Sequence, residues 1–187
     1  MSTPLLFSTI EVTKQAFYRS ALSYAIVNLK PIVPGHVLVI PNRPVPRLTD
    51  LTTPELTSLI ASVQNVGRVV ERAYGGDALT VACQDGKAAG QSIPHVHFHI
   101  LPRKFHGDYF SHRMDDIYPA LERSETDLPR DFENLKVSST TVQIDHPFKV
   151  DADEDRLPRT LEDMEQEATW LRGFFTGECR DTDAVSR

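Results

Sequence analysis

His95-Val96-His97-Phe98-His99-Ile100-Leu101 alternates imidazole and apolar side chains over seven residues. Alternation with a period of two predicts a β-strand. His95, His97 and His99 then share one face, spaced about 7 Å apart along the strand, and Val96, Phe98 and Ile100 turn to a core on the other. Three of the chain's seven histidines fall in this row. A purely structural strand has little reason to collect groups that titrate near neutral pH.

Three readings of the row compete. Satisfied histidines on a half-exposed strand account for one such residue more easily than for three in register. A zinc site is a second reading, since imidazoles at i and i+2 can share the ion. The remaining candidates, Cys83 and Cys179, lack CxxC spacing and lie on opposite sides of the row, so no metal ligand set is assigned. The third reading is nucleophilic and acid/base work on phosphorus. An imidazole with an unperturbed pKa near 6.5 is largely neutral at pH 7 and attacks well in that form. His97, in the middle, is the natural attacker, with neighbours to supply protons or charge. The preceding stretch, Gln84-Asp85-Gly86-Lys87-Ala88-Ala89-Gly90-Gln91-Ser92-Ile93-Pro94, is rich in turn formers. Gly90 lets the backbone approach a ligand closely, and Gln91 and Ser92 offer donors to anionic oxygens.

Gln91-Ser92-Ile93-Pro94 followed by the histidine row resembles the histidine triad motif of nucleotide hydrolases and transferases. Leu101-Pro102-Arg103-Lys104 and the segment from Asn28 to Pro41 resemble the fragile histidine triad branch, and Asp155-Arg156-Leu157-Pro158-Arg159-Thr160-Leu161-Glu162 is most similar to its fungal diadenosine triphosphate hydrolases. The resemblance implies hydrolysis of dinucleoside polyphosphates, preferably diadenosine triphosphate to AMP and ADP, through a nucleotidyl-histidine. It makes His97 the nucleophile, puts His99 on the phosphates, and has His95 orient the attacking ring through its backbone beside the leaving group. It assigns Asn28, Gln84, Gly90, Gln91, Ser92 and Ile93 to substrate binding, Asn28 at a ribose, and places His36 behind the triad. Human-type members carry a substrate-contacting histidine near the N-terminus, whereas Leu6 to Glu11 has none here. Asp115-Asp116-Ile117-Tyr118 resembles a family segment whose tyrosine can be phosphorylated. The other activities of the superfamily, nucleotidyl transfer and phosphoramidase chemistry, are alternatives. So is a nucleotide-binding signalling protein in which the occupied site matters more than turnover.

The chemistry has a rationale without the resemblance. Water is a poor nucleophile toward an anionic phosphorus, and a histidine intermediate replaces one high barrier by two lower ones, with oriented donors stabilising the oxygens. No P-loop sequence is present. No tightly bound cofactor is expected; magnesium or manganese accompanies the substrate phosphates, and no acidic cluster looks like a dedicated cage. A net charge of −6 argues against general nucleic-acid binding. Two cysteines and the lack of a long apolar run point to a protein with no membrane association, in a reducing compartment: the cytoplasm, compatible with entry into the nucleus.

At 187 residues the chain suits one compact domain with extensions. The expected class is α+β, with the HIT fold implied by the resemblance: an antiparallel sheet of about five strands, a long helix and a C-terminal helix, the sheet continued across a homodimer. Strands are predicted at 22–28, 36–40 and 78–84. A helix starts at Thr52 with Pro54 and Glu55 in a capping box, carries Leu56, Leu59, Ile60, Val63, Val66, Val70 and Ala73 as a core stripe, and ends at Gly75-Gly76. Residues 1–105 form the catalytic core and 106–153, which lack sustained periodicity, a flexible insert. A helix within 154–178 presents Met164, Ala168, Leu171 and Phe175 on one side, with Trp170 anchoring it, and 179–187 form a tail. The charge runs Asp151 to Arg156 and Glu162 to Glu167 read as solvated faces.

Overall fold

The computed structural model describes residues 3–137 and 158–176. In chain order the elements are β1 (Leu6–Phe7), β2 (Ile10–Glu11), β3 (Ala16–Arg19), β4 (Ser23–Val27), β5 (Val37–Pro41), α1 (Thr53–Tyr74), β6 (Ala78–Ala82), β7 (Phe98–Arg103), α2 (Ile117–Val137) and α3 (Leu161–Thr176). β1 and β2 form a small hairpin. The other strands make an antiparallel sheet in the order β3-β4-β5-β7-β6. β4 and β5 are buried along their whole length, as expected of central strands covered on both faces. The register sets Leu38 beside His99 and Val39 beside Phe98 on one side of β7, and Ala82 beside His99 on the other.

α1 forms as its sequence dictates. The Thr52 backbone N–H donates to the Glu55 carboxylate at 2.8 Å, completing the capping box, and Gly75 ends the helix in the left-handed region at φ 62. Leu59, Val66, Val69 and Val70 reach the core, but Leu56 and Ile60 are 39% and 47% exposed, which corrects their assignment to the buried stripe. α3 lies within the predicted 154–178 segment and begins with Thr160 and Asp163 capping one another. Met164, Ala168 and Leu171 are fully buried. Trp170 packs edge-on against Tyr74 at 5.3 Å and stays partly exposed, so the helix is anchored mainly by its aliphatic face. Glu167, expected on a solvated face, is buried beneath Tyr74 and Arg159.

Two further expectations need correction. The strand carrying the histidines starts at Phe98, not His95. Upstream of it the backbone is bonded elsewhere: His95 N–H to Ile93 C=O at 2.7 Å and Val96 N–H to Val45 C=O at 2.8 Å. The His95 carbonyl is taken by the ring of His97, so it cannot serve as a ladder rung. The second concerns 106–153, where Ile117–Val137 is a helix packed on the body. Ile117, Leu121, Leu128 and Phe132 are all buried and lie on one helical stripe. The middle of that stripe is Glu125, and Pro129 reads as a breaker; together they hide the period. Tyr118 is exposed at the start of this helix. Residues 138–153 of the insert, the 179–187 tail with Cys179, and the Asp151 to Arg156 run lie outside the described residues. Leu128 and Phe132 of α2 and Met164, Ala168 and Leu171 of α3 share a core with the sheet. Among the described residues no helix is long and apolar enough to cross a membrane.

Candidate active site

His95, His97 and His99 are buried together where the 84–94 loop enters β7. Their hydrogen bonds fix the tautomers in sequence. The Ser8 backbone N–H donates to His95 Nδ1 at 2.9 Å, so that nitrogen carries no proton, and His95 Nε2–H donates to the Pro41 carbonyl at 2.9 Å. Burial pushes the His95 pKa down to about 4, and this ring is neutral at pH 7. The His95 carbonyl in turn accepts from His97 Nδ1–H at 2.8 Å, which turns His97 Nε2 toward the cleft. His99 Nδ1 lies 2.9 Å from His36 Nε2, and Asn28 Nδ2 lies 3.2 Å from the same His36 nitrogen. Burial, then the charge of His97, holds His99 well below the ordinary imidazole range.

The N-terminal hairpin closes one side. Phe7, fully buried, sets its ring 5.1 Å from that of His97 and 5.7 Å from that of His95. This is the region without the human-type histidine; an apolar ring and a backbone N–H stand there instead. The loop closes another side. Asp85 accepts from the Leu48 N–H at 2.8 Å and pairs with Arg47, pinning the loop's start. Gly90 has φ +91, where an L side chain would be strained, and lies against Gln84. Ile93 is buried beneath the loop.

One group was not anticipated. Glu125 of α2 reaches into the site and is almost wholly buried. Its Oε1 accepts from the Ser92 N–H at 3.1 Å and the Ser92 hydroxyl at 2.9 Å, and its Oε2 lies 3.3 Å from His97 Nε2 and 3.6 Å from His99 Nε2. Burial opposes charge on both partners, but the mutual hydrogen bond and attraction outweigh it, raising the His97 pKa and holding Glu125 down to about 2. The contact thereby favours charge on both partners. The only advance sign of Glu125 was its place on the α2 stripe, where a lone acid among buried apolar positions needs a partner.

Of the residues singled out by sequence, His95, His97, His99, His36 and Ser92 are brought into one connected arrangement. Gln84 Oε1, Gln91 Nε2 and His99 Nε2 are buried without hydrogen-bond partners, which is unusual for polar atoms. Asn28 is drawn back: its Oδ1 accepts from the Lys30 N–H at 2.8 Å and its side chain faces His36, so it supports the imidazole relay. His97, His99 and Glu125 place ligand atoms within 4.8 Å of one another and have the donor chemistry to hold a divalent ion. Cys83 is not among them, and burial lifts its thiol to about 11.

A profile described as the HIT domain matches residues 9–106. The chain is 47% identical over 183 residues, 95% of its length, to a bis(5'-nucleosyl)-tetraphosphatase (asymmetrical) of Schizosaccharomyces pombe, covering 98% of that protein. It is 43% identical over 162 residues to the bifunctional bis(5'-adenosyl)-triphosphatase/adenylylsulfatase of Arabidopsis thaliana, across 87% of this chain and 78% of the relative. In fold it is similar to a Plasmodium falciparum diadenosine triphosphate hydrolase solved with cyclomarin A, at a TM-score of 0.66 and 22% identity, covering 95% of this chain and 88% of that one.

Proposed function

The chain belongs to the HIT domain family, and on that footing we propose that it hydrolyses dinucleoside polyphosphates, preferring diadenosine triphosphate and releasing AMP and ADP. The observation that carries this reading is the tether between His97 Nδ1 and the His95 carbonyl. It fixes one proton on the ring and aims Nε2 at the place where His99 and the Ser92 donors converge. With its lone pair free, Nε2 attacks the α-phosphorus; the N–P bond forms as the P–O bond to the leaving ADP breaks. Water then cleaves the N–P bond and AMP departs. The backbone N–H and hydroxyl of Ser92 and the His99 edge face the phosphoryl oxygens. Gln84 and Gln91 supply polar atoms to the rest of the phosphate chain. Asn28 reaches a ribose only by giving up its contacts to Lys30 and His36.

His97→Ala tests the assignment. It should lower hydrolysis by at least about three orders of magnitude with the fold intact by circular dichroism, and quenched wild-type reactions should carry label on His97. Ordinary turnover by the variant, or label elsewhere, would reject it. The S. pombe relative is named for tetraphosphates and the A. thaliana relative for triphosphates, so kcat/KM for the two diadenosine compounds tests the chain-length preference directly. Magnesium or manganese enters with the substrate phosphates. The outer edge of β6, unpaired among the described residues and with Val81 45% exposed, supports pairing of two copies along that strand into one sheet, and a cytoplasmic setting with access to the nucleus suits the paucity of cysteines.

A further inference from the structure

Glu125 uses the same donors that the proposed reaction needs. Its carboxylate accepts from the Ser92 N–H and hydroxyl, and it sits at Nε2 of His97 and His99. A carboxylate in that position presents oxygens much as a phosphoryl group would. The side chains of Glu125 and His97 are both 0% exposed, so an α-phosphate cannot occupy the spot while the carboxylate remains. The arrangement also silences the nucleophile. His97 Nδ1 is tied to the His95 carbonyl, and the Glu125 carboxylate, 3.3 Å from Nε2, covers the one nitrogen left to attack phosphorus.

α2 joins a firm apolar anchor to a weak point at the site itself. Its docking buries Ile117, Leu121, Leu128 and Phe132, and adds the Lys30–Asp131 ion pair at 3.3 Å and a long Ser124 hydroxyl to Lys30 carbonyl bond at 3.4 Å. Pro129 has no N–H, so the Glu125 carbonyl four residues earlier lacks its helical donor. The helix is weakened at the residue that fills the site. Gln91 Nε2, a donor, has no hydrogen-bond partner with Glu125 in place, an independent sign that the carboxylate satisfies the site's donors only in part and that a larger anionic ligand satisfies them better.

We propose that α2 is an intramolecular plug whose Glu125 stands in for the substrate phosphate, holding the resting chain in a closed, inactive state that substrate opens by competing for the same donors. The inference rests on the hydrolase reading above. The competent fraction sets the apparent affinity, so removing the plug should tighten binding by the reciprocal of that fraction.

The full chain is compared with Glu125→Ala, Glu125→Gln and Pro129→Ala. AMP affinity is measured by calorimetry, kcat and KM with diadenosine triphosphate, and hydrogen exchange across 117–137 with and without AMP. Glu125→Ala and Glu125→Gln should bind AMP and substrate about tenfold more tightly with kcat undiminished. Pro129→Ala, which restores a donor to the Glu125 carbonyl, should weaken both several-fold. In the wild type, AMP should speed exchange across α2. The proposal is overturned if Glu125→Ala loses kcat at unchanged KM, which makes Glu125 part of the chemistry. It is equally overturned if AMP protects α2. AMP binding does not depend on turnover, so failure of the hydrolase reading would appear separately, as an active His97→Ala.

Discussion

At the scale of single residues, the site works because hydrogen bonds to the protein fix the tautomer of each triad histidine and with it the use of the ring. His95 is the first link: neutral, accepting from Ser8 and donating to Pro41. Protonation would turn its acceptor into a second donor facing the Ser8 N–H. Its pKa is about 4 in the fold against an ordinary 6.5, so between those values the unfolded chain binds the proton more readily. The stability His95 contributes is complete above about pH 6.5 and is lost progressively as the pH falls toward about 4. Thermal melts from pH 7 to pH 4 should therefore fall more steeply for the wild type than for His95→Asn, which starts lower. Parallel curves would contradict the buried neutral ring. The identity of these residues was plain in the alternation, because imidazole is rare and its spacing conspicuous. Their environment was not: alternation suggested a half-exposed face, and full burial comes from Phe7 and α2, segments distant in sequence from the row.

At the scale of elements, legibility followed local chemistry. α1 was readable to the residue at both ends because Thr52, Pro54, Glu55 and Gly75 act within one turn. α2 was not, since its stripe is broken by the one acid it carries into the cleft and by Pro129. The histidine strand fell between: its apolar half was correct, but its start was shifted by tertiary bonds to Val45 and by the ring of His97. The α1 cap permits a second pH test. Glu55 is held at about 2, first by the Arg43 hydrogen bond and then by those of Thr52, against an ordinary 4.5. A carboxylate with a depressed pKa stabilises fully above its unfolded value and loses that effect as the pH falls through its folded one. Glu55→Gln should thus melt below the wild type at pH 7, and the gap should close between about pH 4.5 and about 2. A gap of constant size would mean that packing, not charge, makes the cap matter.

At the scale of the whole molecule, the C-terminal helix is tied to the site through one cluster. The Arg159 backbone N–H donates to the Leu29 carbonyl at 3.0 Å, and its guanidinium reaches both the Asn28 carbonyl and the carboxylate of Glu167 on α3. The Tyr74 hydroxyl of α1 donates to the same carboxylate. A buried anion is thereby shared between two helices, and its counter-ion grips the strand end that carries Asn28 toward His36 and His99. Removing the cation alone leaves Glu167 buried and charged, the costly way to break such a pair, whereas removing both charges relieves that cost. Arg159→Met should therefore lose about 3 kcal/mol of stability in denaturant unfolding, and Arg159→Met with Glu167→Gln should lose less than the single change. Because the cluster joins α1, α3 and β4 around one core, the loss should appear in a single transition with coincident fluorescence and circular dichroism. It should also lower kcat more than it changes KM, since the Asn28–His36–His99 relay loosens while the Ser92 donors stay in place. Separate transitions, or a double variant weaker than Arg159→Met, would show that α3 packs on the sheet by its aliphatic face alone and that the charges there are incidental.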